Sequence, residues 1–60
     1  MTQNYENLRA AVDACADDVE KAKTGNKAAT SRVRKSMQEV KNLAQEIRKE
    51  MLELRDAGGQ

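Results

Sequence analysis

Residues 22–34 read AKTGNKAATSRVR, and the tripeptide at positions 24–26 within this stretch decides the fold. Gly25 suits the left-handed backbone conformation in which helices commonly end. Asn26 is a favourable cap for a helix that follows, because its side chain can accept a hydrogen bond from a free backbone N–H group. Lys23 places a cation at the carboxyl end of the preceding segment, where it stabilises a helix dipole. The stretch therefore predicts a helix on each side of a tight turn.

Apolar residues recur on both sides of this turn at alternating steps of three and four, the spacing of one face of a helix. We call the two rows together the apolar seam. The seam consists of Tyr5, Leu8, Val12, Cys15, Val19 and Ala22 before the turn, and of Val33, Met37, Val40, Ala44, Ile47, Met51 and Leu54 after it. Because proline is absent and strong helix formers dominate, the sequence predicts helices over about 3–23 and 27–56, within one domain of residues 1–60.

A single continuous helix is the competing interpretation, since one glycine costs a helix only about 1 kcal/mol. The phase of the seam argues against it. Extending the first row through the turn would place Ser36 and Glu50 in the core, whereas the second row runs through Met37 and Met51. The register therefore breaks at the turn, which favours an all-α fold, namely an antiparallel two-helix coiled-coil hairpin.

The unequal lengths of the two helices predict that this hairpin associates. If the chain folds back at Gly25, residues near Gln3 reach only to about Ile47, so the end of the second helix overhangs. Sixty residues also bury little surface, and the lone Cys15 rules out an internal disulfide. A homodimer or higher homo-oligomer is expected, most simply four helices in all. Its predicted interface consists of Tyr5, Leu8, Ile47, Met51, Leu52 and Leu54.

A row of cations lies beside the seam on the second helix with a period of seven residues. This basic row consists of Lys27, Arg34, Lys41, Arg48 and Arg55. Residues 27–41 carry five cations against one acid, although the net charge of the chain is only +1. No acid lies three or four residues from Arg34, Lys41 or Arg48, so pairing within the helix does not neutralise them. Cations about 10 Å apart along a helix suit the phosphates of duplex DNA.

The composition of the chain argues against a catalytic or metal-binding function. Histidine is absent, and Cys15 lies on the seam, where a small buried side chain is expected rather than a nucleophile or metal ligand. The sequence therefore predicts that the protein is not an enzyme, that it holds no metal or other cofactor, and that it acts on no small-molecule substrate. It also shows no apolar run long enough to span a membrane, and a lone cysteine fits the reducing cytoplasm.

The region around the turn resembles a known family. Residues 25–29 read GNKAA and residues 32–34 read RVR, which closely resembles the chlamydial histone-like nucleoid-condensing proteins and short linker-histone-like relatives of other bacteria. In that family the run is followed, at the same separation, by the triplet that here occupies residues 48–50. The resemblance covers roughly residues 19–52. The chlamydial protein continues into a long Lys/Ala/Pro-rich tail that this sequence does not contain, so the resemblance is to the short, tail-less form.

This resemblance implies a dimeric or oligomeric helical module that compacts DNA in the nucleoid. Contacts to the phosphates of double-stranded DNA are expected to be nonspecific, since no recognition-helix pattern or pair of stacking aromatics is present. The residue set carried over from the family is Lys27, Arg32, Arg34, Arg48 and Lys49. Together with the charge pattern, the full predicted DNA-binding set is Lys27, Arg32, Arg34, Lys35, Lys41, Arg48 and Lys49, with Arg9 as a secondary contact.

Two other functions remain open at this point. In one, the basic row docks onto an acidic protein partner, and the chain is a homo-oligomeric interaction module. In the other, the basic row pairs with acids such as Glu39, Glu46 and Glu53 of neighbouring copies, and the assembly is purely structural. Preference for duplex DNA over an acidic polypeptide of matched charge would distinguish DNA binding from the adaptor role.

Overall fold

A computed structural model describes residues 2–58 of the chain, and helices account for almost all of this range. The helices are α1 (Gln3–Ala14), α2 (Ala16–Lys23) and α3 (Lys27–Ala57). The prediction of an all-α fold is confirmed. The outermost positions of the expected 1–60 domain, residues 1 and 59–60, lie outside the described part.

The turn between α2 and α3 is a glycine-terminated helix end. Gly25 has φ of +95°, a left-handed conformation that glycine adopts without steric cost. Its N–H donates to the carbonyl oxygen of Ala22 at 3.0 Å, and the N–H of Asn26 donates to that of Lys21 at 3.2 Å. These two hydrogen bonds are the pair that defines a Schellman motif, so the last carbonyl groups of α2 are satisfied at the point where the chain reverses.

Both long helices begin with a side-chain cap. Asn26 Oδ1 accepts a hydrogen bond from the backbone N–H of Ala29 at 3.0 Å at the start of α3, and Thr2 Oγ1 accepts one from Tyr5 at 3.2 Å at the start of α1. Each bond satisfies one of the N–H groups that a first helical turn leaves without a partner. The GNKAA stretch is therefore accounted for by local geometry: Gly25 ends one helix and Asn26 begins the next.

The first helix is interrupted at Cys15, which corrects the expectation of one helix over about 3–23. The Cys15 N–H donates to the carbonyl oxygen of Val12, three residues back, at 3.3 Å, instead of continuing the four-residue pattern. The Cys15 thiol donates to the same oxygen at 3.3 Å, and the side chain is only 4% exposed. The tightened turn thus keeps this small side chain against the neighbouring helix. The helical conformation resumes at Ala16, where α2 begins.

α3 runs back along α1 and α2. Asn4 Nδ2 donates to Glu50 Oε2 at 3.1 Å near the open end, and Arg32 contacts Asp18 near the turn. The molecule is a rod with principal extents of 51 × 15 × 13 Å. We call α1 and α2 together the first arm, and α3 the second arm. Within residues 2–58 the buried hydrophobic residues are Cys15 and Ala29, both small, so the two arms approach closely but enclose no large side chain.

The inward-facing residues only partly coincide with the apolar seam. They are Asn4, Leu8, Ala11, Cys15, Asp18 and Ala22 on the first arm, and Ala29, Val33, Ser36, Val40, Leu43, Ala44, Ile47 and Glu50 on α3. The prediction that Met37 and Met51 lie in the core of the folded chain is wrong, since they are 40% and 48% exposed while Ser36 and Glu50 are half-buried. The inward line of α3 thus passes through Ser36 and Glu50 and leaves Met37 and Met51 to one side.

Candidate nucleic-acid interface

The basic row lies on an exposed side of α3. This helix continues without interruption for 31 residues, which sets successive cations of the row about 10 Å apart. Lys27, Arg34, Lys41 and Arg48 are all exposed, and none of their four side chains has a hydrogen bond or ion pair with another residue of the described range. From Lys27 to Arg48 the row spans roughly 32 Å, close to one turn of duplex DNA. The helix therefore presents four uncompensated cations along one line.

The fifth member of the row, Arg55, has a neighbouring acid. Its Nε lies 3.5 Å from Asp56 Oδ1, and both side chains are more than two-thirds exposed. An ion pair this open to solvent contributes little, so the Arg55 guanidinium can exchange Asp56 for another anion at small cost. It nevertheless differs from the four residues that precede it.

Arg32 is engaged by α2. Its Nε and Nη2 both donate to Asp18 Oδ1, at 3.0 and 2.9 Å, and the two side chains are 51% and 22% exposed. The hydrogen bond from Arg32 holds the pKa of Asp18 below its ordinary value, and the same bond raises the pKa of Arg32. The predicted DNA-binding set includes Arg32, whereas in this fold its guanidinium joins the two arms beside the turn.

The remaining predicted residues, Lys35 and Lys49, lie on another line of α3. Lys49 Nζ is 3.6 Å from Glu46 Oε2, an exposed pair one helical turn apart. Lys35 borders an open groove together with Arg32 and Glu39, so the charge around it is mixed. The structure thus divides the predicted set into four unpaired residues of the basic row, one residue held across the arms, and two on an adjacent line.

Sequence reasoning missed the contacts between the arms. Asp18 and Arg32 are 14 positions apart and Asn4 and Glu50 are 46 apart, so no spacing rule within a helix relates them. The available signal was that Asn4, Asp18 and Glu50 precede the larger seam residues by one position on the same helices. That signal becomes readable only when the side of each helix that faces the other arm is known.

No grouping of three or more potential metal ligands occurs in the described range. None of the helices that the structure describes is both long enough and apolar enough to cross a bilayer. The chemistry that the exposed side of α3 offers is a line of guanidinium and ammonium groups, whose charge suits an extended anion.

Comparison with known proteins identifies one family. The family model described as "Histone H1-like protein Hc1" matches residues 2–57, nearly the whole chain, and thereby confirms the resemblance seen around the turn. Neither the curated proteins nor the solved structures contain a significant match.

Proposed function

The chain belongs to the histone H1-like Hc1 family, and from this membership we propose that it is an architectural protein that contacts duplex DNA phosphates without sequence preference and helps compact the bacterial nucleoid in the cytoplasm. The family is one of DNA-binding nucleoid proteins rather than enzymes. The finer parts of the proposal are the phosphate contacts, their lack of specificity and the residues that make them.

The unpaired basic row is the observation that carries this proposal. Lys27, Arg34, Lys41 and Arg48 already lie exposed on one helix, so little conformational ordering is needed before they meet phosphates. Each phosphate that a cation neutralises releases condensed counterions from DNA, which is the main source of nonspecific affinity. Four contacts from one chain give weak binding that depends strongly on salt.

Lack of base readout follows from the chemistry of the exposed side. The sequence contains one tyrosine and neither phenylalanine nor tryptophan, so the stacking platforms used on single strands are missing. Lysine and arginine at heptad spacing reach successive backbone positions instead of the edges of neighbouring base pairs. We therefore assign the row to backbone contacts.

The antiparallel coiled-coil packing of the two arms and the homodimer also belong to this proposal. Of the predicted interface residues, Leu8 and Ile47 are half-buried within one chain, while Tyr5, Met51, Leu52 and Leu54 are exposed. Exposed large apolar side chains on so small a protein are typical of a subunit that has a partner.

Fluorescence anisotropy of a labelled random duplex, titrated with protein at several salt concentrations, tests the DNA-binding function. The informative variant is Arg34→Glu with Lys41→Glu, because both residues are exposed and unpaired. We expect it to lose detectable binding while its circular dichroism is unchanged. Reversing Arg32 would be a poorer choice, since it would set a carboxylate against Asp18.

A charge-conserving variant is the matched control. Arg34→Lys with Lys41→Arg keeps both cations, so backbone contacts predict binding close to that of the unchanged protein. If the wild-type protein fails to bind duplex DNA even at low salt, the proposed function is wrong.

The exposed apolar residues beside the basic row favour one alternative, an adaptor that binds an acidic amphipathic helix. Met37 and Met51 are exposed on the side of α3 next to the cations, a pattern suited to a helix with one apolar and one acidic face. Competition of labelled duplex by polyglutamate of equal total charge separates the two functions. Displacement at equal or lower concentration than unlabelled duplex would favour the adaptor.

A further inference from the structure

One side of the folded chain is apolar along most of its length. This apolar face consists of Tyr5, Val12, Val19, Met37, Met51 and Leu54, which are 37–58% exposed. Each of the first five comes one residue after an inward-facing residue. A step of one residue turns by about 100° around a helix, and because the two arms are antiparallel, this turn leads to the same side of both. Tyr5, Met51 and Leu54 line one groove with Ile47, which places the two arms' apolar residues together.

The apolar seam does not point directly at the other helix of the same chain. On α3 the inward-facing line runs between Val33 and Ser36, whereas the seam runs between Val33 and Met37. Successive residues are about 100° apart around a helix, so the two directions differ by about 50°. In a four-helix bundle each helix has two neighbours, and its apolar stripe points between them. The seam therefore fits a helix with one neighbour in its own chain and a second neighbour on the apolar face.

The surface area of the chain agrees with this geometry. It exposes 4844 Å², whereas a compact folded monomer of 6.7 kDa exposes about 3900 Å². The excess of about 900 Å² matches the roughly 800 Å² that each partner hides in a standard protein interface. A second copy of this chain would offer the same apolar face and the same excess.

Cations border the apolar face on both edges. Arg9 is three residues before Val12 and Lys23 is four residues after Val19, so both lie next to the apolar face on the first arm. Arg34 and Lys41 stand in the same relation to Met37 on α3. No acid belongs to either flanking row, although Glu20 lies beside the row of the first arm, with its Oε1 3.5 Å from Lys23 Nζ in an exposed ion pair. Whether α3 of one copy meets α3 or the first arm of the other, cations of one copy come to lie beside cations of its partner.

We propose that two copies pack through the apolar face, and that the grooves along their boundary, lined by the basic rows of both copies, form the phosphate-binding site. This inference rests on the proposed function and specifies its site. The dimer holds like charges close together when it is free, and a DNA backbone in the groove neutralises them. DNA binding and dimerisation are therefore coupled, each strengthening the other.

Salt then has opposite effects on the two equilibria. Screening weakens repulsion across the boundary, so raising salt from 50 to 500 mM tightens the free dimer, while the same change weakens its binding to DNA. An oligomer held by Glu39, Glu46 and Glu53 against the basic row shows the reverse for assembly, since screening loosens ion pairs.

Sedimentation equilibrium and the salt-dependent anisotropy titration together test the inference. Val12→Gln with Met37→Gln changes two exposed residues of the apolar face, and Leu52→Gln is the matched control. Leu52 belongs to the interface predicted from the sequence, but it is 51% exposed and shares its line of α3 with Gln38 and Gln45, away from the apolar face, so packing through this face leaves it outside the interface. We expect the double variant to be monomeric and helical, and the control to remain dimeric.

DNA binding should follow the oligomeric state. A dimer with four free cations per chain gives a slope of log affinity against log salt of about −7, and the monomeric variant about half of that. A double variant that still dimerises, or a monomer that keeps the full slope, overturns the composite groove without touching the DNA-binding function. A free dimer that loosens with salt also overturns it. If the double variant loses helicity, Met37→Gln alone replaces it, and a dimer as tight as the wild type again refutes the assignment.

The same measurements separate this inference from the function on which it rests. A wild-type protein that dimerises through the apolar face but binds no duplex at low salt contradicts the proposed function, and the cationic groove would then serve no DNA.

Discussion

At the scale of single residues, the turn accounts for the most specific part of the sequence. Gly25 has φ of +95°, Asn26 caps α3, and Ala29 is completely buried two residues into that helix. These residues carry the resemblance to the family, and the structure gives each of them a local physical reason. The markers for DNA contact are the cations that follow, and the turn serves to orient the helix that carries them.

Gly25→Ala tests this account of the turn. A Cβ at this position would meet no atom within 4 Å, so the cost comes from the left-handed backbone alone, about 1–2 kcal/mol. We expect a corresponding loss in the free energy of unfolding measured by urea titration. Gly25→Asn is the control, and it should lose less because asparagine tolerates this conformation better. Equal losses in both variants would show that φ is not the cause.

The Asp18–Arg32 pair makes stability depend on acid pH. Because the Arg32 hydrogen bond lowers the pKa of Asp18 from its ordinary 3.8, the pair stabilises the fold fully above that value. Its contribution is lost as pH falls from 3.8 through the lower pKa of the folded state. We therefore expect the melting temperatures of wild type and Asp18→Asn to differ at pH 7 and to converge in strong acid. A gap that stays the same from neutral pH into strong acid would contradict this role.

The same substitution should affect DNA binding in the opposite direction. Asp18→Asn releases Arg32 from its anionic partner and leaves it 51% exposed near Lys35. One additional phosphate contact would steepen the salt dependence of log affinity by about 0.9. An unchanged slope would remove Arg32 from the DNA-contacting set.

At the scale of helices, much of the fold could be predicted from the sequence. Alternating threes and fours predicted helical segments, and Gly25 followed by Asn26 predicted the reversal between them. The inward side of each helix could not be predicted, because Ser36 and Met37 compete for it and hydrophobicity favours Met37. Close packing of small side chains decides for Ser36 within one chain. Similarly, the spacing of residues along α3 predicts that four cations have no partner, whereas the ion pair of Arg32 with Asp18 depends on the position of the facing arm.

The polar inward positions also bear on how the helices are aligned. Glu50 Oε2 accepts from Asn4 at 3.1 Å, whereas Glu50 Oε1 is shielded from solvent without a hydrogen-bond partner in the described chain. Replacing both residues by leucine removes this unsatisfied oxygen and buries apolar surface, so Asn4→Leu with Glu50→Leu should stabilise the fold by about 1–3 kcal/mol. Urea titration measures the change. Asn4→Leu alone should gain less or lose stability, since it leaves the carboxylate without its donor.

At the scale of the whole molecule, the described part of the rod leaves seven large hydrophobic side chains exposed and fully buries none. Its hydrophobic core consists of Cys15 and Ala29, and the described chain offers no disulfide or metal group in compensation. A 60-residue chain with so small a core has little stability of its own. Association is therefore expected to add substantially to the stability of the folded chain, so that this stability depends on protein concentration.

Thermal unfolding at different concentrations tests this dependence. For two chains that unfold as they separate, usual unfolding enthalpies predict that the melting temperature rises by roughly 10 °C for a hundredfold increase in concentration. Leu52→Gln should keep the dependence, whereas Val12→Gln with Met37→Gln should melt lower and at a temperature independent of concentration. Adding duplex DNA should raise the wild-type melting temperature by mass action, and more at low salt than at high salt. A wild-type melting temperature that does not change with protein concentration would mean that a single folded chain is stable by itself, and that contacts through the apolar face do not stabilise the folded protein.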